Sequence, residues 1–277
     1  MPEIEENVET WNAAASWTAE GDEWSGPWGS AEAQWWGTLL PRLHAFLPAA
    51  TILELGPGHG RWTRYLKGRC DELILVDLAE NCIDACRERF AADTNITYHV
   101  NDGSSLPAVA DRAVDLAFSF DSLVHAEADA LAGYARELSR VLKPDGVGFI
   151  HHSNMAELRA RAALARRVPQ RWRKPLSARG VLVNLYAWRA QTPSAQWFGR
   201  ACEEAGLACI AQEKIAWEYG RFLTDAITVV TPRGSRWERP RVLVENPDFI
   251  REARMISSSA KLYAEGSFPA TSSSSST

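Results

Sequence analysis

A short apolar segment that runs into three closely spaced glycines constrains the fold of this chain more than any other feature. The segment Ile52–Leu55 is followed by Gly56, Gly58 and Gly60, and a helical pattern begins directly after them. Glycine removes side chains where a ligand must approach the backbone closely, and the helix that follows directs its positive N-terminal end toward the same point. The sequence therefore predicts a strand, a ligand-binding loop and a helix over residues 51–67.

Apolar runs and helical patterns alternate along the rest of the chain. Predicted strands cover 51–55, 73–76, 96–100, 114–120, 147–151, 207–215 and 225–231, predicted helices cover 61–67, 80–90, 128–142 and 194–205, and a turn is predicted at 143–146. This alternation is typical of βαβ units, whose right-handed crossovers place helices on both faces of a parallel sheet. Ligands of such sheets bind beyond the carboxyl ends of the strands, so the loops after the strands form the candidate site.

Three regions are expected from the patterning. Residues 1–50 form a Trp-rich helical N-terminal cap, and residues 51–232 form the main domain, with an insertion at about 155–192 acting as a substrate lid. Residues 233–277 form a C-terminal extension, which ends in a Ser-rich tail that we expect to be disordered. Six of the 12 tryptophans lie in the first 36 residues. Such rings suit packing on a ring-shaped ligand, whereas attachment to the main core is the stronger interpretation for any one of them.

Charge and cysteine content exclude several classes of protein. The 277 residues include 35 acidic and 30 basic side chains, so the net charge of −5 provides no basic excess for nucleic acid or an anionic membrane. No apolar run reaches the roughly 18 residues of a membrane helix. The acidic N-terminus is unlike a secretory signal, and five cysteines without a close pair fit neither a disulfide framework nor a zinc site. We therefore expect a cytoplasmic protein that binds neither nucleic acid nor membrane.

Two ligand classes use a glycine loop of this kind. A dinucleotide loop requires a third glycine at the position of Arg61, whose side chain would obstruct helix–strand packing. The acid Glu54, two residues before Gly56, and the glycines at alternate positions resemble motif I of the class I S-adenosylmethionine-dependent methyltransferases. The resemblance implies that the loop cradles the methionine part of S-adenosylmethionine. It also implies an α/β, Rossmann-like, doubly wound and mostly parallel seven-stranded sheet. The patterning adds a helical N-terminal extension and an insertion after the fifth strand, and this long insertion is a departure from the family's pattern.

Two further segments lie at the ends of the next two predicted strands. Asp77 ends the second predicted strand 21 residues after Gly56, where a carboxylate accepts hydrogen bonds from both ribose hydroxyls. The resemblance implies that Asp102 accepts from the adenine amino group and that the neighbouring backbone donates to the ring. The alternatives are a helix cap at Asp77 and an ordinary Asp-Gly turn at Asp102. The predicted cofactor-binding residues are Glu54, Gly56, Gly58, Gly60, Asp77, Leu78, Asp102, Gly103, Ser104 and Phe120.

Methyl transfer needs an acceptor held in line with the sulfonium and, for a hydroxyl acceptor, a base. In the loops after the fourth and fifth predicted strands, Asp121 is placed to orient the acceptor, and His125 and His152 are the candidate bases. Adjacent strand residues point to opposite faces, so only one of His151 and His152 faces the cleft, and we favour His152. The alternatives are a helix cap for Asp121 and core histidines. A divalent metal held by Asp121 and these histidines is not favoured, so no metal ligands are predicted.

The candidate acceptor-binding residues are Trp28, His151, Asn154, Trp188 and Arg189. The segment 118–154 and the Trp-rich leader resemble methyltransferases of sugar-decorating pathways. This implies O-methylation of a hydroxyl on a sugar or other polyhydroxylated small molecule, in natural-product or glycan biosynthesis. Three alternatives stay open: N-methylation of an aminosugar or other small molecule, an NAD-dependent oxidoreductase, and a binding protein that keeps the fold without catalysis. The oligomeric state is left open, and a homo-oligomer is compatible with the sequence.

Overall fold

A single mixed sheet of eight strands organises the chain. The computed structural model describes residues 4–13, 17–184, 188–217 and 222–264. The strands are β1 Ala49–Leu55, β2 Cys70–Asp77, β3 Ile96–Val100, β4 Val114–Ser119, β5 Leu142–Ser153, β6 Leu207–Ile215, β7 Asp225–Pro232 and β8 Val242–Asn246. Their order across the sheet is β3-β2-β1-β4-β5-β7-β6-β8.

The first five strands are parallel, and β7 runs antiparallel to both β5 and β6. The prediction of a mostly parallel Rossmann-like α/β sheet is therefore confirmed, whereas the count of seven strands is wrong. The eighth strand, β8, pairs in parallel with β6 at the edge of the sheet. Its side chains from Val242 to Glu245 are all exposed, so its sequence lacks the alternation that marks a strand with one buried face.

Ten α-helices are described around this sheet. They are α1 Ile4–Asn12, α2 Ala31–Gln34, α3 Leu40–Leu43, α4 Thr63–Leu66, α5 Glu80–Arg89, α6 Ala128–Val141, α7 Arg159–Arg167, α8 Gln170–Ala178, α9 Ala195–Glu204 and α10 Phe249–Ala264. A π-helical segment, Trp35–Leu39, joins α2 to α3. Shorter 3₁₀ segments include Asp22–Trp28 and Met155–Leu158.

Helices cover both faces of the sheet because successive strand residues point to opposite sides. Ile52 and Leu53 on β1 illustrate this, since they belong to two different apolar clusters. The cluster around Leu53 is completed by α6 and α9. The cluster around Ile52 is completed by the segment from Trp28 to Leu43, by α5 and by α10. The result is a three-layer arrangement with the sheet in the middle.

Trp28 belongs to the core rather than to a ligand site, so the prediction that it binds the acceptor is wrong. Its side chain is fully buried, and its indole N–H donates to Thr38 Oγ1 at 2.8 Å. Its ring packs on those of Trp217 and Phe249, with ring centroids 5.7 and 5.8 Å apart. Phe249 lies on α10, a helix that sequence patterning does not predict. This contact attaches the C-terminal helix to the N-terminal part of the chain.

Candidate active site

A cavity of about 1050 Å³ lies at the carboxyl ends of the central strands, with α1 across it. This is the position expected for a ligand site in an open α/β sheet. Ten of the residues predicted from sequence line it, namely Gly56, Gly58, Asp77, Leu78, Gly103, Phe120, Asp121, His125, Trp188 and Arg189. Residues from five separate segments of the chain therefore meet around one space.

The glycine loop is closely packed at its first two glycines. Gly56 has a φ of +68°, and a Cβ on it would lie 1.8 Å from Ser122 Oγ. Gly58 has a φ of +57°, and a Cβ there would lie 2.5 Å from the ring of Trp17. Both positions need the left-handed backbone that glycine adopts without strain. The loop thus exposes backbone to the cavity where any other residue would insert a side chain.

Asp77 joins this loop to the next strand. Its Oδ2 accepts a hydrogen bond from the Gly58 N–H at 3.1 Å, and its Oδ1 accepts from the Ala79 N–H at 2.9 Å. Burial raises the pKa of this carboxyl to about 6, against the opposing effect of the backbone hydrogen bonds. Asp77 therefore supports the start of α5 and lines the cavity at the same time.

Glu54 lies behind the loop and is not among the described residues that line the cavity. Its Oε2 accepts a hydrogen bond from Thr63 Oγ1 at 2.7 Å, which ties β1 to α4. Its Oε1 has no hydrogen-bond partner among the described residues. Burial raises the pKa of Glu54 to about 8. Its position is that of a support beneath the loop rather than of a cavity wall.

Three more predicted cofactor residues lie outside the described cavity lining. The carboxylate of Asp102 is exposed, and its Oδ1 accepts from the N–H groups of Ser104 and Ser105, at 2.9 and 2.7 Å. The Asp-Gly turn is thus the role that the hydrogen bonds support for Asp102, and direct adenine contact is not supported for it or for Ser104. Gly60 instead permits close packing, since a Cβ there would lie 2.4 Å from the ring of Phe90.

A network of oppositely charged side chains lies beside the cavity. Arg61 Nη2 lies 2.9 Å from Asp121 Oδ2, and Arg189 Nη2 lies 3.7 Å from Asp121 Oδ1. Arg189 Nε also lies 3.1 Å from Asp225 Oδ2, and His151 Nε2 lies 3.3 Å from that same oxygen. Arg189 and His151 hold the pKa of buried Asp225 below its usual value, against the effect of burial. The network fixes the positions of Asp121 and Arg189, which both face the cavity.

The two adjacent histidines point to opposite faces of β5, as predicted, but both are fully buried and neither is among the described residues that line the cavity. His151 accepts a hydrogen bond from the Asp121 N–H at its Nδ1, 3.0 Å away, so its ring proton is on Nε2 and faces Asp225. His152 lies on the other face, against Phe198 of α9, and its Nε2 lies 2.8 Å from Thr228 Oγ1. Burial lowers the pKa of His152 to about 4. The prediction that His152 faces the cleft as the base is wrong.

His151 is buried beneath Phe120, with ring centroids 4.5 Å apart, and it is not part of the described cavity lining. Asn154 is also fully buried, and its prediction as an acceptor-binding residue is wrong. Its Oδ1 accepts from the Ala195 N–H at 2.8 Å, and its Nδ2 donates to the Leu223 carbonyl at 2.9 Å. Asn154 therefore fixes the start of α9.

His125 is the histidine that does line the cavity. Its ring packs against those of Trp11 and Trp188, with centroid distances of 5.2 and 4.8 Å. Burial, with the neighbouring Arg189 charge as the second cause, lowers the pKa of His125 to about 3. The imidazole is therefore neutral at pH 7. Its Nδ1 is buried and lacks a hydrogen-bond partner in the part of the chain that the structure describes.

Sequence reasoning did not assign the wall that the N-terminal segment contributes. Trp11, Trp17 and Trp24 line the cavity, and the rings of Trp17 and His59 stack with centroids 4.2 Å apart. The Asn7 side chain donates to the His125 carbonyl at 3.1 Å, which holds α1 across the site. The density of tryptophan in the leader was the available signal. It did not separate these three from the buried Trp28.

Comparison with known proteins agrees with this geometry. Residues 52–146 match the family described as a methyltransferase domain. This match covers less than half of the chain and includes the glycine loop and strands β2, β3 and β4. No helix in the described ranges is long and apolar enough to cross a membrane. Within the same ranges, no group of three or more His, Cys, Asp or Glu side chains is arranged to hold a metal ion.

Two curated relatives each match part of the chain. The biotin biosynthesis bifunctional protein BioHC of Cellvibrio japonicus is 36% identical over 114 residues, which cover 40% of this chain and 21% of the relative. The malonyl-[acyl-carrier protein] O-methyltransferase of Pectobacterium atrosepticum is 33% identical over 109 residues, covering 38% of this chain and 41% of the relative. The chain therefore spans less than half the length of each of these relatives.

Two solved structures share the fold over most of their length. A DhpI–SAH complex aligns with a TM-score of 0.54 at 18% identity, covering 83% of this chain and 97% of DhpI. A protein from Pyrococcus horikoshii OT3 aligns with a TM-score of 0.52 at 24% identity, covering 71% of this chain and 88% of that protein. At these identities the comparison establishes the fold alone.

Proposed function

We propose that this protein is an S-adenosylmethionine-dependent methyltransferase whose acceptor is a hydroxyl of a sugar or another polyhydroxylated small molecule. The observation that carries the proposal is the placement of Gly56, Gly58 and Asp77 on one cavity, within the segment that matches a methyltransferase domain. The cavity volume of about 1050 Å³ is at the upper end of the roughly 300–1,000 Å³ typical of small-molecule sites. There is room for a cofactor and an acceptor together.

The residues around the loop fit the cofactor. Gly56 and Gly58 have no side chains, so their backbone can contact a ligand directly. A Cβ on Gly56 would collide with Ser122, and a Cβ on Gly58 would collide with Trp17. The two carboxylate oxygens of Asp77 keep lone pairs beyond the two N–H groups they already accept from, and these suit ribose hydroxyls. Leu78 and Gly103 line the cavity beside Asp77 and suit the flat adenine ring. When bound, S-adenosylmethionine supplies the electrophilic methyl group on its sulfonium.

The acceptor side combines aromatic rings with a few fixed charges. Trp11 and Trp188 lie with ring centroids 5.2 Å apart, while Asp121 and Arg189 are held in place by the charge network. Aromatic faces that cover the apolar face of a ring, with a small number of convergent polar groups that fix its orientation, suit a saccharide. Asp121 would accept a hydrogen bond from an acceptor hydroxyl and so orient its neighbours.

His125 replaces His152 as the candidate base. Burial lowers the pKa of His125 to about 3, so the imidazole is neutral, and its ring lines the cavity. A base with so low a pKa does not deprotonate a hydroxyl in advance. It accepts the proton only while the methyl group is being transferred to the hydroxyl oxygen. Holding the hydroxyl in line would therefore contribute more to the rate than the basicity of His125.

The cofactor assignment is tested by calorimetric titration with S-adenosylhomocysteine. We expect the Asp77→Asn variant to bind about 10- to 100-fold more weakly than the unaltered protein, because it loses charge-assisted hydrogen bonds to the ribose. Asp102→Asn is the matched control, since this exposed carboxylate lies on the same sheet edge outside the described cavity lining, and its affinity should be unchanged. Undetectable binding by the unaltered protein, or equal affinity in both variants, would refute the assignment.

The acceptor assignment is tested by incubating a panel of saccharides, aminosugars and simple alcohols with methyl-labelled cofactor. Product mass and fragmentation distinguish O-methylation from N-methylation. His125→Gln should lower the turnover by no more than about 10²-fold, the lower end for a lost base, because its pKa lies far below the working pH, while His152→Gln on the opposite face should lower it far less. Labelling of aminosugars at nitrogen alone would replace the hydroxyl proposal. A rise in melting temperature with a nicotinamide cofactor and none with S-adenosylhomocysteine would favour an oxidoreductase.

A further inference from the structure

The insertion between β5 and α9 carries a concentrated positive charge. Residues 159–184, which include α7 and α8 and which we name the α7–α8 surface, contain eight basic side chains and no acidic one. They are Arg159, Arg161, Arg166, Arg167, Arg171, Arg173, Lys174 and Arg179. The whole chain has a net charge of −5, so its average composition conceals this local charge.

Among the described residues, these charges have no carboxylate partner. None of the eight lies within 4 Å of a carboxylate of any described residue. Arg173 instead donates to the Val168 carbonyl at 2.7 Å, just after the end of α7. Arg166, Arg167 and Arg171 are exposed at the surface. The electrostatic field of the α7–α8 surface is therefore available to an anionic partner.

The same surface exposes large apolar side chains. Leu164 is 60% exposed, Trp172 is 52% exposed and Val181 is 58% exposed. Helix α8, every residue of which the structure describes, has no buried residue. Trp172 and Leu176 are four residues apart, so they share one side of this helix. An exposed tryptophan within a basic, otherwise unburied helix is typical of helices that lie in the interface of a membrane.

We propose that the α7–α8 surface docks the protein on an anionic lipid bilayer. A bilayer offers phosphate charge to the arginines and an apolar layer to Trp172, Leu164 and Val181. Nucleic acid would satisfy the arginines alone and would leave the three apolar side chains exposed to water. The chain enters this surface from the carboxyl end of β5 and returns through Trp188 and Arg189, which line the cavity. Docking would therefore bring one side of the cavity close to the lipid. The inference does not depend on the proposed function.

The test is co-sedimentation of the full chain with vesicles of phosphatidylcholine alone or with 30% phosphatidylglycerol. We expect binding to the anionic vesicles only, weakened when ionic strength rises to about 1 M, where the Debye length falls to about 3 Å. The variant Arg166→Gln/Arg167→Gln/Arg171→Gln should bind about 100-fold more weakly, because each cation near an anionic surface contributes about fivefold. Trp172→Ala should weaken binding roughly tenfold.

The matched control is Arg233→Gln/Arg239→Gln, which removes two exposed arginines from a different part of the surface and should leave vesicle binding unchanged. Melting temperatures should be alike in all variants, because the substituted side chains are exposed or half-buried. Equal binding to both vesicle types, or an unaltered affinity in the triple variant, would overturn the proposal. Tighter binding to a DNA or RNA duplex than to anionic vesicles, with no effect of Trp172→Ala, would overturn it in favour of nucleic acid.

Discussion

Replacing Glu54 by glutamine should stabilise the protein, and the gain should grow as the pH rises. Burial raises the pKa of Glu54 from the ordinary value of 4.5 to about 8 in the folded chain. Between these pH values the folded chain keeps a proton that the unfolded chain has released. Stability from this group is thus fully present below about 4.5 and is lost as the pH rises to about 8. A pKa difference of one unit is equivalent to about 1.4 kcal/mol, so the rise from 4.5 to about 8 lowers the free energy of unfolding by about 5 kcal/mol at high pH.

Glutamine has the shape of the protonated acid and keeps an oxygen to accept the hydrogen bond from Thr63 Oγ1. It does not ionise, so the advantage of Glu54→Gln over the unaltered protein should increase by about 2 kcal/mol between pH 6 and pH 8. Urea unfolding of both proteins without cofactor at each pH measures this difference, and comparison of the two cancels the contribution of Asp77. A stability difference that is constant with pH, or that shrinks as pH rises, would show that Glu54 is ionised in the folded chain.

Three further perturbations test other parts of the site. Gly58→Ala places a side chain at a φ of +57° and should cost about 1–2 kcal/mol in strain, with a loss of S-adenosylhomocysteine affinity in calorimetry. Asp121→Ala leaves the nearly buried Arg61 without its carboxylate partner and should lower the free energy of unfolding in urea by about 3–5 kcal/mol, which a change below 1 kcal/mol would contradict. Burial raises the pKa of the Cys86 thiol, so this thiol should react with Ellman's reagent only after denaturation, and prompt reaction in the native protein would count against its burial.

The parts of the site that were predictable depend on local sequence. The loop Gly56–Gly60 and Asp77 follow strands whose buried apolar runs are visible in the chain, and a parallel sheet brings such loops to one edge. The turn predicted at 143–146 corresponds to an irregularity in the pairing of β4 with β5. Val114 pairs with Leu142 and Leu116 pairs with Val147, so β5 has extra residues at 143–146. Strand β5 nevertheless begins at Leu142 and includes these residues, which the sequence pattern does not predict.

The remaining parts depend on contacts between distant residues. The period of two in a strand establishes that His151 and His152 face opposite ways, but only the packing of α9 on one face decides which of them is turned from the site. Likewise, Trp11 and Trp28 lie in the same leader and have the same chemistry. One reaches the cavity because α1 is held by a hydrogen bond between residues 118 positions apart, and the other is enclosed by α10. No local pattern contains that information.

Trp11, Trp17 and Trp24 form a cavity wall that lies outside the segment matched by the family. These side chains precede residue 52, where the match to the methyltransferase family begins, and Trp188 and Arg189 follow residue 146, where it ends. The matched segment thus holds the loop Gly56–Gly60, while much of the cavity wall comes from residues outside the match. Two proteins that are nearly identical over 52–146 can therefore differ in the walls of this cavity and in the molecules that fit it.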